Sequence, residues 1–285
     1  MNLDHVAIQY TDHLWEAKQW ASRGYEPIEC AFGTGSVLGP LNMDHHGEES
    51  WREGVALRAC RDHYGALREK PRFVVTGTPD ADAVLAIIAL AGLVPQEYIP
   101  MEFADLVNRR DLDPIIIHLL EEEYGEELLF FQQVSHLHRD APSFFRAVRS
   151  MCNLLTDGIT DDQRAKIRRK EERRIHMAEN CPIENISSQV VLVQGTVWGF
   201  DRWYMMAPVV VSYSQRHSSV TIGCRSEDVA IELFGEEGLL RVFAELGRGW
   251  GGRESIGGSP RDKRLSIEEA RQAAQTVRRI LEEQI

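Results

Sequence analysis

Two short acidic segments of the sequence carry side chains that could hold a divalent metal ion. Asp44, His45 and His46 are consecutive, and Asp80 and Asp82 follow later in the chain on either side of one alanine. Carboxylate oxygens suit hard cations, whereas imidazole suits ions such as Mn²⁺, Fe²⁺ and Zn²⁺. The mixed set therefore predicts a site for Mn²⁺ rather than Ca²⁺, of the kind used in phosphate chemistry.

The elements around these segments are predicted to be strands and helices of a parallel α/β sheet. Residues 72–76 form a short β-branched run typical of a buried strand, and residues 81–91 are apolar helix formers. Residues 36–38 and 41–43 lead into the first segment, so that both acidic segments are predicted to lie at strand ends, and residues 48–64 have helical spacing. Because ligands bind at the carboxyl ends of parallel strands, we expect the two acidic segments to face one crevice.

A purely structural role is the alternative for these residues. Asp80 could be the N-cap of the following helix, since an aspartate there accepts a backbone N–H and favours the positive helix end. His45 and His46 could be exposed loop histidines. Capping of that helix leaves Asp82 unexplained, and two imidazoles directly behind an aspartate favour the metal site.

Together with a glycine-rich stretch near the C-terminus, these motifs resemble the DHH phosphoesterase superfamily. Its members include single-strand exonucleases, nanoRNases, cyclic-dinucleotide phosphodiesterases and a manganese pyrophosphatase. The resemblance spans most of the chain, in short motifs. It implies that Asp44, Asp80, Asp82 and His45 ligate Mn²⁺, with two ions expected and one ion as the alternative. It also implies that His45 and His46 serve catalysis, as phosphate or general-acid partners.

The resemblance implies one further acidic ligand between the domains, for which Asp113 is the best match and Asp111 the next. The chain departs from the family in the order of its motifs, because the family has the paired aspartates before the DHH tripeptide. Thr76 stands where the family has a metal-binding histidine, so one metal position is vacant, differently ligated, or filled from His5 or His13.

A glycine-rich stretch at residues 247–261 contains six glycines, three arginines and a tryptophan. Consecutive backbone N–H groups can converge on an anion, arginine binds phosphate in a bidentate manner, and an indole offers a stacking face. We predict substrate contacts there from Arg253, Gly257, Gly258 and Arg261, although most glycine-rich loops are turns. In the family a histidine follows the glycine pair, whereas this chain has Ser259. Arg225 is added because the segment around it resembles an Arg-Ser pair of the family's C-terminal domain.

The composition is that of a globular protein large enough for two domains, with 285 residues, 43% hydrophobic and 27% charged. A net charge of −12 disfavours binding along a duplex nucleic acid, which needs many cationic contacts to phosphates. Five scattered cysteines predict free, mostly buried thiols in a reducing compartment. No signal peptide or membrane span is recognisable, so a cytoplasmic location without membrane contact is expected.

Three regions are predicted along the chain. Residues 1–114 form a DHH-like metal-binding α/β domain with a parallel sheet, residues 115–180 a helical connector, and residues 181–285 a smaller mixed-sheet α/β domain that binds substrate. Helical spacing in the connector covers residues 115–123, 126–137, 142–155 and 161–179. The C-terminal domain has strand patterns at 189–197, 208–214 and 219–224, helices at 227–234 and 237–246, and a capping box of Ser266 and Glu269 before a last helix.

The last connector helix carries a run of cations. The simpler interpretation is a solvated face with acidic partners such as Glu171 and Glu172. A basic wall that faces the cleft is the sharper hypothesis. The cations are Arg164, Lys166, Arg168, Arg169, Lys170, Arg173 and Arg174.

The residues thus predict a Mn²⁺-dependent phosphoesterase that hydrolyses a small phosphorylated substrate, such as a short single-stranded oligonucleotide or a nucleotide. The first alternative is a non-catalytic nucleotide-binding or regulatory protein on a DHH-like scaffold. The second is an unrelated α/β protein whose clustered acids serve structure. The oligomeric state stays open.

Overall fold

The computed structural model describes residues 3, 5–32, 35–44, 53–112, 119–134, 138–260 and 263–283. The described chain forms two compact units, the first with residues up to 168 and the second with residues from 169 onward. The fold is α/β, as predicted, with a parallel sheet at the N-terminus, helices in the middle and a mixed sheet at the C-terminus.

The first unit combines short strands with the longer helices. In chain order its elements are β1 (Ala7–Tyr10), α1 (Leu14–Ser22), β2 (Glu26–Ile28), β3 (Ala31–Phe32), β4 (Gly35–Ser36), α2 (Val55–Asp62), β5 (Arg72–Val75), α3 (Ala81–Ala91), α4 (Met101–Leu112), α5 (Gly125–Val134), α6 (Ala141–Asp157) and the first part of α7 (Asp161–Glu179). The predicted strand at 72–76 and helix at 81–91 are confirmed.

The three-stranded sheet has the order β1-β5-β2, with both pairs parallel. Val75 is in register with both Tyr10 and Ile28, so the residues after these three strands share one edge of the sheet. The short strands β1 and β2 were not predicted. Pro27 lies within β2, which an edge strand tolerates because one row of its N–H groups needs no partner.

Two predictions of local structure are wrong. Residues 37–44 contain no strand, and β4 pairs only with β3 in a separate two-stranded sheet, so Asp44 does not follow a strand of the parallel sheet. The segment instead turns at residues 40–41, and Asn42 has a left-handed φ of 54°. Residues 119–124 form turns rather than helix, with Tyr124 at φ 61°.

The second unit is built on a six-stranded sheet of order β10-β11-β9-β8-β7-β6, in which only β7 and β8 are parallel. After α7 the elements are β6 (Ile183–Asn185), β7 (Val190–Gly195), α8 (Phe200–Trp203), β8 (Val209–Ser214), β9 (Ser219–Cys224), α9 (Glu227–Phe234), α10 (Leu239–Leu246), β10 (Gly251–Gly252), β11 (Ile256–Gly258) and α11 (Ile267–Glu282). The main predicted strands and helices of this region are confirmed.

Apolar side chains cover both faces of this sheet. Residues of α9, α10 and α11 pack on one face, and Phe200, Trp203 and Tyr204 pack on the other together with Ala178 of α7. The predicted capping box of Ser266 and Glu269 is present at the start of α11. All five cysteines are free and four are buried, as expected. Within the described part of the chain, every helix is too short or too polar to cross a membrane.

Candidate metal centre

Three carboxylates converge in the first unit. Glu29, Asp82 and Asp111 each offer an oxygen, and these oxygens lie within 4.8 Å of one another. Glu29 comes directly after β2, Asp82 lies in the first turn of the helix that follows β5, and Asp111 lies in the last turn of α4. Because β2 and β5 are parallel neighbours, the first two carboxylates come from the carboxyl edge of the sheet.

The Asp82 carboxylate also stabilises the start of a second helix, α2. Its Oδ2 accepts the N–H of Val55 at 2.8 Å and its Oδ1 that of Ala56 at 2.9 Å, so the buried carboxylate caps the start of α2. The adjacent N–H of Gly54 goes to Oδ1 of Asn108 at 2.6 Å. A carboxylate has about four acceptor positions, so two backbone bonds leave capacity for another ligand.

Asp80 is the N-cap of α3, where its Oδ1 accepts the N–H of Ala83 at 2.9 Å. This is the structural role considered from the sequence. Asp80 nevertheless belongs to the same electrostatic neighbourhood, because its negative charge contributes to the raised pKa of Glu29.

Glu29 is the member of the group that the sequence did not indicate. Burial and then the charges of Asp80, Asp82 and Asp111 hold its pKa well above the usual glutamate value, and it hydrogen-bonds the Asp82 side chain. Its backbone is left-handed, with φ 51°, and its N–H donates to the carbonyl of Met43 at 2.8 Å. An acid placed directly after a strand was the available signal, but the proline in β2 obscured that strand.

Asp44 lies outside this group of three. Its side chain is fully buried and accepts a hydrogen bond from Ser36 Oγ, while its carbonyl accepts one from Arg58 Nη2 at 2.9 Å. Its neighbour Met43 is the backbone partner of Glu29. His45, His46 and Asp113 lie outside the described residues, so the histidine part of the predicted centre has no structural description.

In the second unit, Gly257 and Gly258 lie within β11, between β9 and β10. A Cβ on Gly257 would overlap the ring of Phe243 and lie 2.5 Å from the carbonyl oxygen of Gly251. The space at this glycine is therefore needed for strand packing, whatever its part in substrate binding. Arg261 lies outside the described residues.

Arg225 and Arg253 come to one end of the six-stranded sheet. Arg225 follows β9, whose Cys224 N–H donates to the Ser255 carbonyl at 2.7 Å, and Arg253 begins the turn from β10 to β11. Both arginines are exposed, and neither guanidinium has a partner among the residues that the structure describes. They are therefore available for an anion.

An open pocket of about 370 Å³ lies near the other end of α3, lined by Tyr64, Arg68 and residues 92–97. It contains none of the carboxylates described above, nor any predicted site residue. This pocket is therefore separate from the candidate centre, which is defined by its converging side chains.

No protein-family model matches the chain, and no curated protein matches it. The likeness to DHH phosphoesterases therefore rests on the short motifs alone.

Proposed function

We propose that the protein is a Mn²⁺-dependent phosphoesterase, a hydrolase that acts on a small phosphorylated substrate such as a short oligonucleotide or a nucleotide. The observation that supports this proposal best is the convergence of Glu29, Asp82 and Asp111 at the carboxyl edge of a parallel sheet. Ligands of open α/β sheets bind at this edge.

The donor set fits a hard divalent cation. Three carboxylates supply only oxygen ligands, which suit Mn²⁺ and Mg²⁺, and the resemblance would add the imidazole of His45 in favour of Mn²⁺. Burial first, and then the negative charges of the neighbouring aspartates, raise the pKa of Glu29, and a bound cation would neutralise those charges. A bound divalent ion would supply Lewis-acid activation of a phosphoryl oxygen and of water.

The chain's own residues then have distinct tasks in this proposal. Glu29, Asp82 and Asp111 hold the cation, with Asp44 and Asp80 as the further ligands that the resemblance implies. Asp82 is kept in place by the two backbone N–H groups of α2, which fix the orientation of its carboxylate. Arg225 and Arg253 are the proposed phosphate contacts of the substrate, since both guanidinium groups are exposed.

A non-catalytic nucleotide-binding or regulatory protein is the second candidate. The observation in its favour is that Asp80 and Asp82 both cap helices, so the fold itself requires them even without turnover. Under this proposal the protein binds a nucleotide and releases no phosphate.

Titration calorimetry with Mn²⁺ tests the proposal, beside the metal content of the purified protein. Glu29→Gln and Asp111→Asn are the informative variants, because, unlike Asp80 and Asp82, neither side chain caps a helix of the described part of the chain. Glu102→Gln is the matched control, since Glu102 is exposed on the same helix as Asp111 but outside the group. We expect Mn²⁺ binding by the wild type and the control, and at least tenfold weaker binding by both test variants.

Turnover is measured with a 5′-labelled dinucleotide in Mn²⁺. Phosphate-ester cleavage that falls with Mn²⁺ affinity supports the phosphoesterase. Mn²⁺ and nucleotide binding without cleavage supports the second candidate. A wild type that binds no Mn²⁺ overturns the metal centre and leaves the acids with a structural role.

A further inference from the structure

The pocket at the C-terminal end of α3, called the α3 pocket below, lies at the opposite end of that helix from Asp82. Its volume of about 370 Å³ is at the lower end of the range for pockets that bind small molecules. Its lining includes an aromatic ring, apolar side chains, one arginine and one glutamate, which are Tyr64, Leu93, Pro95, Arg68 and Glu97. A ligand in this pocket would meet one cationic and one anionic side chain beside an apolar surface.

Packing contacts position the guanidinium of Arg68 in the α3 pocket. Its central carbon lies 5.8 Å from the centroid of the Tyr64 ring, which is a cation–π distance. The Tyr64 hydroxyl is anchored in turn, because it donates to the Val94 carbonyl. Gly92 leaves room for the guanidinium, since a Cβ there would lie 2.8 Å from Arg68 Nε. The guanidinium therefore has a defined place, although the side chain is exposed.

The N–H donors of this guanidinium are unused. Arg68 forms no hydrogen bond or ion pair with any residue that the structure describes. The negative end of the α3 dipole favours a cation here, but the last carbonyls of the helix, at residues 88–90, accept backbone N–H groups instead. Five donors in a planar fork thus remain for another acceptor, and a carboxylate matches that fork.

Arginines of α7 show the contrast with Arg68. Three of them donate to buried glutamates at distances of 2.5 to 2.7 Å, Arg164 and Arg168 to Glu126 and Arg174 to Glu171. The acidic partners predicted for α7 are thus confirmed for these three cations, while Glu172 forms no ion pair with a described residue. Arg68 instead has an aromatic partner and no acid.

Glu97 supplies the opposite charge in the α3 pocket. It lies in the single 3₁₀ turn at Gln96–Tyr98, is exposed, and forms no ion pair with Arg68 or with any other described residue. A ligand with a carboxylate alone would be attracted by Arg68 but repelled by Glu97. A ligand that carries both a carboxylate and an ammonium group satisfies the two side chains together. Leu93 and Pro95 then offer an apolar wall to the rest of the ligand.

We infer that the α3 pocket binds a small zwitterion of the amino-acid type. Arg68 donates to its carboxylate, Glu97 accepts from its ammonium group, and an apolar part of the ligand packs on the wall of the pocket. Glu97 disfavours a phosphate or another dianion, and an amine alone leaves the guanidinium without an acceptor. The inference does not rest on the proposed phosphoesterase activity, because the residues that line this pocket include no proposed metal ligand or substrate contact.

Ligand-observed NMR titrations of the purified protein in EDTA test the inference. The common amino acids are added one at a time up to about 10 mM, since a small ligand in an open pocket is expected to bind in the millimolar range. The tightest binder is then compared with its amide, which lacks the carboxylate, and with its N-acetyl derivative, which lacks the ammonium group. Each derivative should bind at least about tenfold more weakly than the amino acid.

Two substitutions assign the two ends of the ligand. Arg68→Gln should remove the preference for the amino acid over its amide, and Glu97→Gln should remove the preference over the N-acetyl derivative. Each variant should also lower the affinity for the amino acid about tenfold. A variant that only loosened the pocket would weaken the binding of all three compounds alike, so the pattern of preferences separates recognition from a structural role.

Matched controls come from the same unit. Arg72→Gln removes an exposed guanidinium that lies 5.8 Å from the Tyr25 ring centroid but does not line the pocket, and Glu69→Gln removes an exposed acid next to Arg68 in the sequence. Both controls should bind the amino acid within about twofold of the wild type. A wild type that binds no amino acid overturns the inference, as does equal affinity for the amino acid and either derivative. Controls that lose as much affinity as the test variants overturn it as well.

Discussion

The carboxyl edge of the parallel sheet and the glycine-rich end of the mixed sheet use their polar residues in different ways. At the first, Asp82 caps α2 and lies in the carboxylate group, so one side chain serves fold and candidate site. At the second, Gly257 serves strand packing, while Arg225 and Arg253 stay exposed and have no ion-pair partner among the residues that the structure describes. A substitution in the first region should therefore change stability and binding together. In the second region the two effects should be separable, because different residues carry them.

The largest effect is expected at Asp82. Asp82→Ala should lower the free energy of unfolding by about 2–3 kcal/mol, because two buried backbone N–H groups of α2 lose a charged acceptor. Urea unfolding followed by circular dichroism measures the change. Asp80→Ala is the comparison, since it removes a single cap bond and should cost about 1 kcal/mol. Equal losses in the two variants would contradict the double role of Asp82.

Gly257→Ala should break the strand packing of the second region. The added methyl group overlaps the ring of Phe243 and approaches the Gly251 carbonyl, and overpacking of this kind costs about 1–3 kcal/mol. Gly251→Ala is the matched control in the neighbouring strand, because a Cβ there meets no atom within 4 Å. The thermal unfolding temperatures of both variants test this expectation. If Gly251→Ala is destabilised as much as Gly257→Ala, the pair of strands tolerates no side chain at either glycine.

A buried carboxylate of the first region should make stability depend on pH. Glu26 of β2 is 5% exposed and accepts the N–H of Leu41 at 3.0 Å. Burial raises its pKa and outweighs this hydrogen bond, which lowers it. Because the folded-state pKa lies above the unfolded one, the stabilisation is complete at acid pH, below the unfolded value, and is lost as pH rises through the folded value.

Glu26→Gln should consequently be more stable than the wild type at pH 8, and the difference should vanish towards pH 4. Chemical unfolding at a series of pH values checks the sign. For Glu126 the expected pH dependence of stability has the opposite sign. Burial opposes its ionisation, but hydrogen bonds from Arg164 and Arg168 dominate and lower its pKa, so its contribution is lost as pH falls. A Glu26→Gln advantage that grows at acid pH would refute the assignment.

The smallest effect on stability is expected for Arg225→Gln and Arg253→Gln. Neither guanidinium forms a hydrogen bond or ion pair with a described residue, so the free energy of unfolding should change by less than about 0.5 kcal/mol. Under the proposed function the double variant should nevertheless bind a nucleotide more weakly, which calorimetry measures. A double variant with unchanged nucleotide affinity would remove these arginines from the substrate contacts.

Local sequence signals predicted the elements that local forces determine. The bounds of α3 follow from its apolar helix formers between the Asp80 cap and Gly92 at φ 59°, and β5 follows from its β-branched run. Asp82 caps α2 through Val55 and Ala56, which precede it in the sequence by 27 and 26 positions. No local sequence pattern contains a contact over that separation. Glu29 was missed for a similar reason, because its proximity to Asp111 depends on where the tertiary fold of the first unit places the end of β2 and the end of α4.

The left-handed backbone at Glu29 would be more stable with glycine, whereas the candidate metal centre needs the carboxylate. A side chain at φ 51° costs about 1–2 kcal/mol that glycine would not incur. A library selected for thermal resistance alone should therefore enrich glycine at position 29, whereas one selected for Mn²⁺ retention should keep the acid. Two selections that both return glycine would mean that this carboxylate has no part in the centre. Sequencing the two selected pools therefore tests whether position 29 carries an acid for metal binding at the expense of stability.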